Sequence, residues 1–171
     1  MCVAVKSLTP DAAQVDPSLL DNFERELRLL AELRHPNIIA LFGYYRSNCG
    51  QLHVVMELGD GGCLSGQLRM CGDAGNPMAI EDTVRIALDI ARGLLFLHEG
   101  LHHPVVHCDL KSANVIICRG LAKLADFGVA RRMRRNSWLG GSGVGFEGVL
   151  GSVQWSFETP LSLANTCRVL C

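Results

Sequence analysis

The spacing of hydrophobic and polar positions lays out most of the elements of this chain. Residues 2–6, Cys2-Val3-Ala4-Val5-Lys6, form a β-branched run closed by a lysine, which predicts a short strand. Asp16-Pro17 is a helix start, an N-cap followed by proline at the first helical position. The helix predicted over residues 17–33 carries Phe23, Leu27, Leu30 and Leu33 at helical spacing. Glu26 lies beside that apolar stripe, where a carboxylate is costly unless a cation meets it. The alternative is pairing along the exposed surface, as Glu24 can do with Arg28 one turn on. His35-Pro36-Asn37 stops the helix, and two strands follow over 38–45 and 52–58, joined by a turn at Ser47-Asn48-Cys49-Gly50.

Gly61-Gly62-Cys63-Leu64 then opens a short helix, and residues 72–77 read as a polar loop. The longest helix is predicted over residues 80–100, with Val84, Ala87, Leu88, Ala91, Leu94, Leu95 and Leu97 as a broad apolar face. Residues 115–118 and 121–124 predict a small hairpin over Arg119-Gly120. From 130 to 151 the character changes. Arg131-Arg132-Met133-Arg134-Arg135 is a compact basic run, and the glycine- and serine-rich residues 140–151 have little to bury.

Composition narrows the class. The 171 residues fit one domain or a piece of a larger one, and 49% hydrophobic content supports a buried core. A formal net charge of −1 removes any bulk electrostatic case for nucleic acid or an anionic membrane. The five-residue basic run lacks interleaved aromatic residues and reads as a solvated loop. No apolar run approaches the ~18 residues of a membrane span. The eight cysteines are scattered without a C-x-x-C pair, which favours reduced thiols and a cytoplasmic location.

Chemistry concentrates in Val106-His107-Cys108-Asp109-Leu110-Lys111-Ser112-Ala113-Asn114-Val115-Ile116-Ile117, followed by Asp126-Phe127-Gly128. Transfer of a γ-phosphoryl group needs a carboxylate to accept the acceptor hydroxyl's proton and oxygen ligands to hold Mg²⁺ on the phosphates. Asp109 suits the first role, Asn114 and Asp126 the second, and Lys111 can neutralise charge on the transferred group. These motifs, in this order, resemble the catalytic loop and metal-binding motif of eukaryotic protein kinases. The spelling Asp-Leu-Lys-Ser-Ala-Asn is closest to the Raf-like and mixed-lineage branch of tyrosine-kinase-like kinases, and Lys111 favours serine/threonine substrates.

The resemblance implies an α+β two-lobe fold, here incomplete: a partial kinase domain over 1–160, with small-lobe residues 1–58, large-lobe residues 59–130 and an activation segment over 131–160, then a divergent tail over 161–171. It implies ATP and Mg²⁺ as cofactors and a protein substrate in intracellular signalling. Lys6 becomes the lysine that holds the α- and β-phosphates, and Glu26 its partner. Ala4 and Ile116 would lie on either side of adenine, with Met56 as gatekeeper and the backbone from Glu57 to Gly59 hydrogen-bonding to the base. His107 and Phe127 would stack with Leu30 and Leu41, and Ser137, Ser142 and Ser152 become candidate phosphosites.

Three departures qualify that resemblance. The glycine-rich strand pair expected before Val3 is missing, so weak nucleotide binding is expected. Cys108 stands where kinases usually carry the arginine that meets a phosphorylated activation loop, as in non-RD kinases. Gly151-Ser152-Val153-Gln154-Trp155 continues as Ser156-Phe157-Glu158, and the remaining large-lobe helices do not follow, which suggests truncation at both ends. A non-catalytic kinase-like binding module is therefore the second reading.

Two further matches carry less weight. His98-Glu99-Gly100-Leu101-His102 spells a zinc-protease motif, but Gly100 and Pro104 place it where the helix is ending. Gly143-Val144-Gly145-Phe146-Glu147-Gly148 matches a phosphate-loop pattern without the strand and lysine that should follow it.

Overall fold

The computed structural model describes residues 2–8, 17–48, 51–133 and 165–170. The expectations for Asp16, Cys49, Gly50, Arg134, Arg135, the three candidate phosphoserines and the second glycine motif lie outside these residues, as does that for the side chain of Phe23.

The elements are strand β1 (Val3–Leu8), helix α1 (Pro17–Glu32), strands β2 (Leu41–Arg46) and β3 (Leu52–Glu57), and helices α2 (Leu64–Asp73) and α3 (Ile80–Glu99). They continue with strand β4 (Val105–Val106), a 3-10 turn at Ser112–Asn114, and strands β5 (Val115–Cys118), β6 (Leu121–Leu124), β7 (Arg131–Arg132) and β8 (Asn165–Leu170). One four-stranded sheet has the order β2-β3-β1-β8, and β4-β7 and β5-β6 form two-stranded ladders. The β1–β3 ladder is antiparallel and sets Ala4 opposite Met56 and Lys6 opposite Val54.

The predicted strand over 38–45 begins only at Leu41, because the residues before it are tied to β6. Ile39 N–H donates to Leu124 O at 3.0 Å, Leu124 N–H donates to Asn37 O at 2.9 Å, and Ile38 bridges Leu124. This cross-link makes one core of both halves of the chain. Leu27, Leu30, Leu33, Ile38, Leu41 and Val54 pack in the same cluster as Leu97, Val115, Leu124 and Phe127.

The long helix forms as expected, but only part of its predicted apolar face turns inward: Leu97 is fully buried and Leu94 packs against the core. Its buried residues are Ile86, Asp89, Gly93 and Leu97, whereas Val84, Leu88 and Leu95 are 50%, 50% and 62% exposed. Close approach decides the orientation. A Cβ at Gly93 would stand 2.9 Å from Asn37 O and 3.1 Å from Leu124 Cδ1, so only glycine lets the helix reach β6. The apolar residues continue around much of α3, a pattern that does not by itself select the face that packs.

The β5–β6 hairpin turns through Arg119 and Gly120 at φ 49° and 79°. Two central residues at positive φ suit the tight turn that matches strand twist. The tail, expected only to be divergent, supplies β8, which pairs with β1 over Val3–Leu8.

Candidate active site

The site is built on two short irregular segments hung from the hairpin and the sheet. In the loop after β4, Asn114 Nδ2 donates to both the main-chain oxygen and Oδ2 of Asp109, each at 2.9 Å. Lys111 Nζ lies 2.7 Å from the same Oδ2. Asp109 is thus oriented by an amide and an ammonium while its carboxylate remains partly open to solvent. Committing the Asn114 amide nitrogen to Asp109 leaves the Asn114 side-chain oxygen as its atom for a cation.

The second segment follows β6. The Ala125 N–H donates to Asn114 O at 2.9 Å, and His107 Nε2 lies 3.0 Å from Ala125 O. These two bonds fix Asp126 beside the Asp109 loop. Asp126 and Cys108 both have positive φ, 65° and 64°, a left-handed backbone that surrounding contacts must hold in place for a non-glycine residue. His107 and Phe127 meet with ring centroids 4.8 Å apart, and Phe127 is fully buried in the cluster that includes Leu30 and Leu41.

His107 has a defined neutral state. Its Nε2–H can donate to Ala125 O while Nδ1 accepts from the Asp109 N–H at 3.4 Å. Burial lowers its pKa, outweighing Ala125 O and the carboxylates of Asp126 and Asp109, which raise it.

Lys6 reaches the site from β1. Its Nζ is 2.6 Å from Glu26 Oε2 on α1 and 3.7 Å from Asp126 Oδ1. Burial alone would lower the Lys6 pKa, but Glu26 and Asp126 reverse that and hold it raised. Glu26 is 5% exposed, and its carboxyl is raised because desolvation exceeds the attraction of Lys6. The surface pair Glu24–Arg28 also forms, at 2.8 Å, so the sequence contained both pairs.

Around the expected adenine pocket the backbone is close-packed. A Cβ at Gly59 would fall 2.1 Å from Ile116 Cγ2, so this approach requires glycine. Met56 is half-buried and sits opposite both Ala4 and Leu41 in the sheet. Glu57 differs in one respect from its expected role. Its N–H donates to Ala40 O at 2.9 Å and is already engaged. Its buried side chain meets Lys123 Nζ at 2.8 Å and Arg119 Nη2 at 3.3 Å, joining the end of β3 to the β5–β6 hairpin.

Sequence reasoning missed three members of the support. Asp89 Oδ2 accepts from the Ala122 N–H at 3.0 Å, and Asn37 Nδ2 donates to Ala122 O at 3.0 Å. Both main-chain groups of one β6 residue are therefore held by buried side chains. Lys123, with Glu57, is the third. The signal for Asp89 was legible: a carboxylate on the Ile86, Asp89, Gly93 and Leu97 stripe poses the same burial question that singled out Glu26. In the zinc-like motif, by contrast, the helix ends at Glu99 and His102 rests against His103. Among the described residues no group of three or more His, Cys, Asp or Glu could hold a metal.

A buried lysine–glutamate pair thus lies beside the Asp126 loop, and the neighbouring loop gathers an aspartate, a lysine and an asparagine. Among known families, the protein kinase domain family matches residues 1–155, and the chain belongs to that family. It is 36% identical over 138 residues to U-box domain-containing protein 70 of Oryza sativa subsp. japonica, covering 80% of this chain and 16% of that protein. Integrin-linked protein kinase 1 of Arabidopsis thaliana is 39% identical over 130 residues, 75% of this chain and 26% of the relative. LysM domain receptor-like kinase 10 of rice is 40% identical over 129 residues, 75% and 20% respectively. The chain spans about a quarter or less of the length of these curated relatives.

Proposed function

We propose that the chain carries out ATP-dependent phosphoryl transfer to serine or threonine of a protein substrate, as a tyrosine-kinase-like, non-RD kinase acting in the cytoplasm. One observation carries the reading: Ala125 joins the Asp109 and Asp126 loops through its two main-chain groups, while Lys6 bridges Glu26 and Asp126. Lys6 and Glu26 position the α- and β-phosphates. Asp109 orients the acceptor hydroxyl and takes its proton as the oxygen attacks the γ-phosphorus and the bond to the β-phosphate oxygen breaks. Lys111 offsets charge on the transferred group. Ala4, Met56, Ile116 and the backbone near Glu57 and Gly59 receive adenine, with the Glu57 contribution restricted to its carbonyl.

Asn114 and Asp126 would hold Mg²⁺, a donor set suited to an ion that binds through one or two carboxylates plus substrate phosphates. Mg²⁺ when bound neutralises the phosphate oxygens.

A second reading, a kinase-like binding module without turnover, is favoured by the exposed Val84, Leu88 and Leu95 on α3. Thermal melting with and without Mg-ATP separates the two. Catalysis requires a magnesium-dependent rise in melting temperature that disappears in Lys6→Met and Asp126→Asn. A cooperative melt indifferent to nucleotide would reject the catalytic reading and leave the binding module.

A further inference from the structure

The strand that carries Lys6 is not an edge strand, and what covers its outer side is the tail of the same chain. β8 runs antiparallel to β1 over six residue pairs, Val3↔Leu170 through Leu8↔Asn165, with Lys6 opposite Cys167. On the other side Lys6 is opposite Val54 of β3. We propose that Asn165–Leu170 is an intrachain edge strand that fixes the backbone of β1, so that placement of Lys6 in the nucleotide site depends on the tail; this rests on the nucleotide-binding reading above.

Lys6 Nζ is 2.6 Å from Glu26 Oε2 and 3.7 Å from Asp126 Oδ1, so a shift of about 1 Å in β1 would disturb both contacts. Among the described residues, the ladders that hold β1 are those with β3 and β8. With β3 alone, half of the β1 amides and carbonyls would face outward as an open template, the arrangement that recruits foreign strands. With β8 in place both rows are engaged, as in an extended segment added to an exposed sheet edge. The sequence suits the role: Thr166 and Val169 are β-branched, and Asn165–Leu170 contains neither glycine nor proline. A strand preceding Val3 in any longer form of the chain would compete with β8 for this same edge, since consecutive strands tend to pair.

Amide-resolved hydrogen exchange on the full 171-residue chain tests the pairing without a mutation. Amides along Val3–Leu8 point alternately to β3 and β8. Protection of both sets is expected; protection of the β3-facing set alone would overturn the proposal.

Coupling is tested with Cys167→Pro and Arg168→Pro, made separately. Adjacent residues point their N–H groups to opposite sides, so one proline removes a ladder donor and the other faces away. The disruptive variant should raise exchange of the β8-facing amides by ~10-fold or more and reduce the Mg-ATP-dependent melting shift, while its neighbour changes neither. Raised exchange with an unchanged nucleotide shift would overturn the coupling. If the parent chain shows no nucleotide shift, the functional reading fails and coupling to it falls, while the parent's exchange pattern still decides whether β8 covers β1.

Discussion

Individual residues show where burial sets function. Asp109 is held by Asn114 and Lys111 without being buried, so replacing it should leave binding intact and remove proton acceptance. Asp109→Asn is expected to lower phosphotransfer by about 10²–10⁴-fold, with the Mg-ATP melting shift retained. A loss of the shift as well would assign Asp109 to nucleotide binding instead. His107 yields a pH prediction. Its pKa is lowered by burial, so the neutral ring's contribution is whole above the ordinary value of about 6.5 and is lost as pH falls through the lowered folded value. Protonation of Nδ1 also removes the acceptor for the Asp109 N–H. Melting temperature should fall on acidification from pH 7 to 5, and His107→Phe, which keeps ring packing on Phe127, should flatten part of that slope. His35 and His98, lowered in the same direction by burial, account for a remaining slope.

At this scale the sequence was most informative where chemistry imposes both type and order. Asp109, Lys111, Asn114 and Asp126 were singled out because the proposed phosphoryl transfer needs that set, and Glu26 because a carboxylate beside an apolar stripe demands a cation, which Lys6 supplies. Glu57 was read through its backbone alone. Its distant partners Lys123 and Arg119 lie across a hairpin that no local pattern connects to β3.

Among the elements, α3 separates helix existence from helix orientation. Its period predicts a helix over nearly the observed span, but apolar residues on more than one face leave the buried face undetermined. Close backbone approach at Gly93 and the Asp89 bond to Ala122 settle it. Leu97→Ala is therefore expected to cost about 2–5 kcal/mol, since Leu97 is fully buried. Leu95→Gln should stay within about 0.5 kcal/mol. Equal costs in chemical denaturation would mean that the exposed face is covered in solution. Asp89→Ala leaves the buried Ala122 N–H without its acceptor, an expected loss of about 1–3 kcal/mol. Because Ala122 lies in the strand that leads to Asp126, nucleotide response should weaken with it. The tail strand β8 escaped the pattern for another reason: six residues without alternation carry little signal, and their strand character shows in the six-pair ladder with β1.

Across the whole molecule, the two halves are joined at separate places around β6: Ile39 and Asn37 reach Leu124 and Ala122, and Glu57 reaches Lys123. Three consecutive residues of one short strand thus hold α3, the segment after α1 and the end of β3, and the strand then delivers Asp126. Such an arrangement makes the site a property of the assembled core more than of either half. The Glu57–Lys123 pair tests this. Lys123 is 9% exposed and Glu57 8%, so removing Lys123 leaves the buried Glu57 carboxylate with only the more exposed Arg119 to meet it. Lys123→Met is expected to destabilise by about 3–5 kcal/mol, whereas the double variant Glu57→Leu/Lys123→Met should recover most of that, because an apolar pair of similar volume can replace a buried ion pair at little net cost. Denaturant melts of the parent, both single variants and the double variant give the coupling energy. If the double variant retains a cooperative melt and the Mg-ATP shift, the pair contributes stability at the junction. If stability recovers but the shift does not, the charge pair itself aligns β3 with the hairpin, and adenine placement depends on that alignment.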